Sequence, residues 1–585
     1  MKILSKENMT RIEGRLKRIY GDMPEVNVSQ LMERLAMLVG RYGVGLNPQP
    51  CESLYSENDV VLITYADSVF GEEDKKPIAT LRRFCDKYLR HNISCIHILP
   101  FSPWSSDDGF SVIDYREVNP DYGRWENIEA LAFEHSLMFD LVLNHCSRKS
   151  EWFKDFVAGV APASNYFITE DPNTDLSNVV RPRPWPLLTE VATRDGIEHV
   201  WTTFSEDQID LNWKDPNVLF EFLDILFLYI SKGMRIVRLD AIAFLWKEIG
   251  TNCLHLPETH EFVKLFRDVL EMVAPNVVLL TETNVPHEEN ISYFGEGDEA
   301  HMVYNFSLPP LLLHALLSGK TSYLINWAKS LDELPDGCTF FNFTASHDGV
   351  GVRPLQGIVE DHELNWLMER VRERGAKVNM RRMPDGSEKP YELNVTYVSA
   401  LSEPEDELLG EDRFICSQAI QLGFRGIPAV YIHSLLGTRN YVEGVEQTGE
   451  NRTINRRKWN IHELEGLIED EATSHGRIYK RYLSMLRRRK NHKAFHPDAP
   501  MTVMDTDSRL FAFMRVANDG SERIVCVHSM SRETVKIPLV SLDISLGVKD
   551  KSVRDIFNSQ TLKTGPKRQL TLKPYGSVWI ILKED

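Results

Sequence analysis

Four apolar runs in this chain end in polar residues. LMFDLVLNH ends in Asn144 and His145, and MRIVRLDA carries Arg238 and Asp240 near its end. VVLLTET holds Glu282, and CTFFNFTASHD closes on His347 and Asp348. Burying such groups costs free energy unless they serve one another or a ligand. One acid at the end of an apolar run is ordinary, but the four-part combination is not. Three separated carboxylates, Asp240, Glu282 and Asp348, suit glycosyl transfer. One attacks the anomeric carbon and a second acts as acid and then as base; in the retaining geometry these two stand about 5–5.5 Å apart. The third stabilises the charged sugar in the transition state or holds its hydroxyls. Residue chemistry alone leads to a retaining α-glycoside enzyme.

The elements that must position these groups are strands with connecting helices. Eight near-continuous apolar runs begin at Asp59, Cys95, Leu137, Met234, Val277, Met302, Cys338 and Gly426. Such runs suit parallel strands buried on both faces. Eight of them with intervening helical segments predict an α/β fold, a (β/α)8 TIM barrel, whose catalytic residues come from the carboxyl ends of several strands. The barrel is expected over residues 59–495, with insertions at about 146–210 after the third strand and 349–412 after the seventh. Residues 1–58 read as two amphipathic helices that extend the packing of the main domain. Residues 496–585 change to short strands with turns, as in RLFAFMRVA, RIVCVHSM and GSVWIIL, and predict a β-sandwich-like C-terminal domain.

Composition bounds the partners. The chain has 585 residues, 42% of them apolar and 10% aromatic, enough for a large core. A formal charge of -18 argues against a general nucleic-acid binder, but allows a small anionic substrate where a few arginines converge. Eight cysteines without a C-x-x-C pair give no disulfide framework and no cysteine zinc site. MKILSKENMT is not an apolar signal segment and no run reaches a membrane span, so no membrane partner and a cytoplasmic setting are expected. Gly349 and Gly351 stand outside any G-x-G-x-x-G context, so no nucleotide cofactor is implied.

DLVLNH, MRIVRLDA, LTET and ASHD, in that order, resemble the four signatures of the α-amylase-type glycoside hydrolase superfamily. The resemblance implies Asp240 as nucleophile, Glu282 as acid/base and Asp348 as transition-state stabiliser. It implies Arg238 as the arginine that orients the nucleophile, and His145 and His347 as contacts to the donor sugar. A narrower likeness joins the chain to sucrose phosphorylase and its relatives, through HILPFSPWSSDDGF, VRPRP, ASHDGVGV and NRTINR. VWTTFSEDQIDLN, WKEIGTNCLHL and TETNVPHEENI are similar to the glucosylglycerate phosphorylase branch.

That likeness implies inorganic phosphate as co-substrate, no organic cofactor and no metal, with Asn144 structural. It implies that Asp107 and Arg452 clamp the donor glucose and that Phe204 walls the cleaved bond. Arg183, or its neighbour Arg181, is expected to meet phosphate, and Tyr391 to bind phosphate and acceptor. Sucrose phosphorylases carry histidine two residues beyond the acid/base, where this chain has Asn284 on the acceptor side. Arg381 and Arg382, in MRRMPDG, read as a solvent-facing turn, with a role toward a glycerate carboxylate as the alternative. The resulting expectation is retaining phosphorolysis of 2-O-α-D-glucosyl-D-glycerate to α-D-glucose 1-phosphate and D-glycerate. The alternatives are a sucrose or glucosylglycerol phosphorylase, a retaining α-glucosidase or transglucosylase and, more remotely, a non-catalytic sugar-binding protein. A homodimer is left open.

Overall fold

The computed structural model describes residues 5–43, 46, 49–50, 53–73, 75–183, 185–382, 388–544, 552–564 and 566–582; the side chain of Arg382 lies outside that description. The eight apolar runs form β1 (Val61–Thr64), β2 (Cys95–Ile98), β3 (Ser136–Val142), β4 (Met234–Asp240), β5 (Val278–Thr281), β6 (Met302–Tyr304), β7 (Thr339–Asn342) and β8 (Ile427–Tyr431). These strands close into one barrel in chain order, and every pairing is parallel. Nearly every strand residue is buried, which is why the runs are apolar throughout and do not alternate.

Register decides which polar groups meet. Arg238 on β4 pairs with Asp140 on β3 and with Leu280 on β5. Side chains two residues apart share a face of a strand, so Asp240 and Glu282, each two residues farther on, reach the same mouth of the barrel.

Two N-terminal helices, α1 (Lys6–Tyr20) and α2 (Val28–Tyr42), pack outside the barrel. α1 lies on α4 (Pro257–Val273), which follows β4, and α2 lies on α3 (Pro216–Ser231), which precedes it. Both barrel helices start on proline, whose missing N–H is harmless in a first turn. α3 is apolar around most of its circumference because α2 covers its outer face.

The excursion after β3 carries an antiparallel hairpin, Leu188–Thr193 with Gly196–Trp201. The excursion after β7 forms a three-stranded antiparallel sheet in the order Val350–Gly351, Glu388–Asn394, Lys377–Arg382. The C-terminal stretch holds a six-stranded antiparallel sheet and a two-stranded ribbon, Val535–Pro538 with Gln569–Leu572. Val525, Val527, Val578 and Ile580 on one face of the sheet share a small core with the ribbon's Val535, Ile537, Leu570 and Leu572. Phe513, Ile524, Cys526 and Trp579 from the other face join the main core.

Candidate active site

Arg238 is the centre of the barrel mouth. It is 2% exposed, and its Nη1 donates to Asp240 Oδ1 at 2.7 Å and also to Asp140, its register neighbour. Its Nη2 stands 3.8 Å from Glu282 Oε2. One guanidinium therefore faces three carboxylates, which suits a planar fork of five donors. Burial pushes the Asp140 carboxyl up, but His97, whose Nε2 lies 2.7 Å from Asp140 Oδ2, and Arg238 outweigh it and hold the group down at about 2. Asp140 is thus a fixed anion that holds Arg238 in place.

Ala241, just past the end of β4, has φ 51°, a left-handed conformation that is costly for a residue with a Cβ. The turn aims its N–H at Glu282 Oε2, at 3.2 Å. Burial raises Asp240 and Glu282 above the ordinary carboxylate range, and Arg238 opposes the rise in both. The guanidinium bonds Asp240 directly but stays 3.8 Å from Glu282. Arg238 therefore favours the ionised form of Asp240 more directly than that of Glu282.

Asp348 lies across the cavity with its own cations. Arg452 Nη1 pairs with Asp348 Oδ1 at 2.7 Å, and Arg456 Nη2 stands 3.7 Å away. Burial works against ionisation of Asp348, but Arg452, Arg456, Arg238 and Arg183 together hold it below its usual value. Arg452 is itself gripped by Glu392, through Nε to Oε1 at 3.1 Å and Nη2 to Oε2 at 2.9 Å. Glu392 also accepts the N–H of Gly349 at 2.5 Å, which ties the excursion sheet to the residue after Asp348. Asp107 is farther from Arg452, at 3.9 Å, so in this state Arg452 leans toward Asp348 and Glu392.

The remaining cavity walls come from loops after β2, β3 and β7. His347 stacks on Phe110 with ring centres 4.9 Å apart, and burial with Arg456 and Arg238 drives its pKa well below the usual value, so it is neutral. His145 lies 3.0 Å from the Phe110 carbonyl, where Nε2 donates, and burial lowers its pKa also. Phe204 packs 5.1 Å from His145 and 5.5 Å from Phe244. Asp107 and Asp108 sit consecutively at positive φ, 54° and 47°, a strained turn at the cavity rim.

The cavity brings together Asp107, His145, Arg183, Phe204, Arg238, Asp240, Glu282, Asn284, His347, Asp348, Tyr391 and Arg452. Arg181 is exposed and does not line it. Five residues with a stake in the site escaped sequence reasoning: Asp140, Lys247, Arg353, Glu392 and Arg456. Asp140 alone had a signal, a charge within an apolar strand.

Asn144 and Asp210 hold a cation of the chain's own. Lys247 Nζ donates to Asn144 Oδ1 at 2.6 Å and pairs with Asp210 Oδ2 at 2.7 Å. Thr203 completes the shell of Asp210 through its N–H at 2.9 Å and its hydroxyl at 2.6 Å. Among the described residues, no group of three or more His, Cys, Asp and Glu side chains is placed to hold a metal ion.

Residues 87–352 match the alpha amylase catalytic domain. Over 532 residues, 90% of each chain, the protein is 46% identical to a glucosylglycerate phosphorylase of Spirochaeta thermophila. It is 41% identical over 585 residues to a glucosylglycerate phosphorylase of Allomeiothermus silvanus, covering 99% of this chain and 100% of that one. Its fold superposes on the crystal structure of sucrose 6F-phosphate phosphorylase from Thermoanaerobacter thermosaccharolyticum with a TM-score of 0.71. That match has 27% identity and covers 83% of this chain and 95% of the other.

Proposed function

The chain belongs to the glucosylglycerate phosphorylases of the alpha-amylase superfamily, and from that premise we propose how its residues carry out the reaction. The reaction is retaining phosphorolysis of an α-glucoside of glycerate, giving α-D-glucose 1-phosphate and glycerate. Asp240 attacks the anomeric carbon while the bond to the glycerate oxygen breaks and Glu282 gives that oxygen its proton. The result is a β-glucosyl ester on Asp240. Phosphate then enters where glycerate left and attacks the same carbon. The ester bond breaks, Asp240 leaves as carboxylate, and Glu282 takes up the proton if phosphate arrives carrying one. Two inversions give net retention.

The observation that carries this division of labour is the position of Arg238. A nucleophile must be ionised and an acid must not be, and Arg238 bonds Asp240 at 2.7 Å while standing 3.8 Å from Glu282. Asp348, held ionised by Arg452 and Arg456, offsets positive charge as it develops on the sugar ring. Ester formation at Asp240 removes one negative charge as phosphate approaches, and Arg183 supplies a positive one.

Phosphate and a small α-glucoside are the partners in this reading, with a homodimer as the assembly to test by sedimentation. Seven buried free thiols among the described residues support a reducing, cytoplasmic setting.

Product analysis tests the reaction. Purified protein with 2-O-α-D-glucosyl-D-glycerate should release glucose 1-phosphate and D-glycerate only when phosphate is present. Free glucose at equal rates with and without phosphate would make it a hydrolase. Asp240→Ala should abolish turnover, and near-normal turnover in that variant would sink the nucleophile assignment.

A further inference from the structure

Four arginines line the cavity, and they divide into two kinds. Arg238 and Arg452 are neutralised by carboxylates. Arg183 and Arg353 have no hydrogen-bond or ion-pair partner among the described residues, although Arg353 is only 8% exposed and its Nε is buried. A buried guanidinium without a counter-charge is costly, and a protein that keeps one at a cavity wall is poised for an anion.

Arg353 begins a short turn, Arg353–Leu355, directly after the strand Val350–Gly351. That strand abuts Asn284 so closely that a Cβ on Gly351 would lie 2.7 Å from the Asn284 amide atoms. Asn284 follows Glu282 by two residues, and its Oδ1 is buried without a partner. The oxygen that Glu282 protonates belongs to the departing acceptor, so this is the acceptor's side of the cavity. Arg381 does not line the cavity, but burial and the like charge of Arg353 push its guanidinium below its usual value, with Tyr391 and Glu289 opposing. Arg381, too, has no ion-pair partner among the described residues, and its Nε is buried and unbonded.

We propose that Arg353, reinforced by Arg381, is the subsite that holds the carboxylate of the acceptor, with Asn284 Oδ1 accepting from an acceptor hydroxyl. This assignment rests on the reaction proposed above and names the residues that would select an anionic three-carbon acceptor over a neutral one. Arg183, on the opposite excursion, is then left for phosphate. A forked guanidinium matches a carboxylate with two parallel hydrogen bonds, which a neutral acceptor cannot use.

The test runs the reaction backward. Wild-type enzyme receives glucose 1-phosphate with D-glycerate, or with the uncharged glycerol. Exchange of labelled phosphate into glucose 1-phosphate is measured alongside, because it needs no glycerate. Arg353→Gln should lower kcat/KM for glycerate by 100-fold or more, lower the glycerate-to-glycerol preference by a similar factor, and slow phosphate exchange by less than tenfold. Arg381→Gln should show the same pattern at about a tenth of the size. Arg353→Lys keeps the charge without the fork and should fall between wild type and Arg353→Gln, so it serves if the glutamine variant fails to fold.

A retained glycerate preference in Arg353→Gln overturns the proposal. A fall in phosphate exchange as large as the fall in glycerate transfer overturns it too, and assigns Arg353 to phosphate. Wild-type enzyme that transfers glucose to neither acceptor, while still exchanging phosphate, overturns the glycerate reading itself and the subsite with it.

Discussion

Asp240 and Glu282 face one guanidinium in a buried cavity, so their protonation states are linked. Burial holds Glu282 in its acid form above the ordinary carboxylate range. In the proposed reaction the acid that protonates the leaving oxygen is lost as pH rises through this raised pKa, and kcat/KM for the glucoside should fall on the alkaline side. Glu282→Gln should reduce that kcat/KM by about 10²–10⁴ and remove the alkaline limb. A pH–rate profile with the limb intact would place the titration elsewhere. The four groups around this chemistry, Arg238, Asp240, Glu282 and Asp348, were legible because each ends an apolar run. Glu392, Arg456 and Arg353 were not, because they lie outside the barrel strands and only folding brings them to the site. His97 and Asp140 occupy a middle position. Each is a titratable group inside a strand that is otherwise apolar, and together they explain why Arg238 can stay buried.

At the scale of elements, the barrel strands were readable from continuous apolarity, but the sheet after β7 was not. KVNMRR and EKPYELN alternate for only four residues each beside charged or proline-containing stretches, too short to stand out, although Leu393 and Val350 of this sheet are buried in the main core with Val378 packed against them. The N-terminal helices were readable as amphipathic, and their packing partners add a reason for them. α1 brings Arg11 and Arg15 to Asp268 of α4, each at 3.1 Å, and Arg15 also to Asp298 at 2.9 Å. α2 lays Arg34 over Phe220 of α3 at 4.2 Å and bonds Asn217 at 2.7 Å. The two helices thus brace the pair of barrel helices that flank β4, the strand that carries Arg238 and Asp240. Asp268 is 3% exposed, so Arg15→Ala should destabilise the protein by about 1–3 kcal/mol, read as a lowered denaturation midpoint with little change in KM. An unchanged midpoint would make α1 an ornament on the barrel.

Across the whole molecule, a chain of charge -18 takes up two anions, phosphate and a glucoside of glycerate, and gives up two. The mouth matches its own carboxylates with arginines, and the acids spread over the outer surface are screened by salt within about 10 Å at 0.1 M. The Lys247 ammonium between Asn144 and Asp210 has a further consequence at this scale. A cation borrowed from solution stabilises a fold only by mass action, through its free concentration and its dissociation constant. Lys247 is covalently part of the chain, so that concentration term is absent. Extensive dialysis against a chelator should leave activity and thermal midpoint as they were, and activity lost to chelation and restored by calcium would contradict it. A cation that is synthesised with the chain cannot be diluted away, cannot be competed off, and needs no supply.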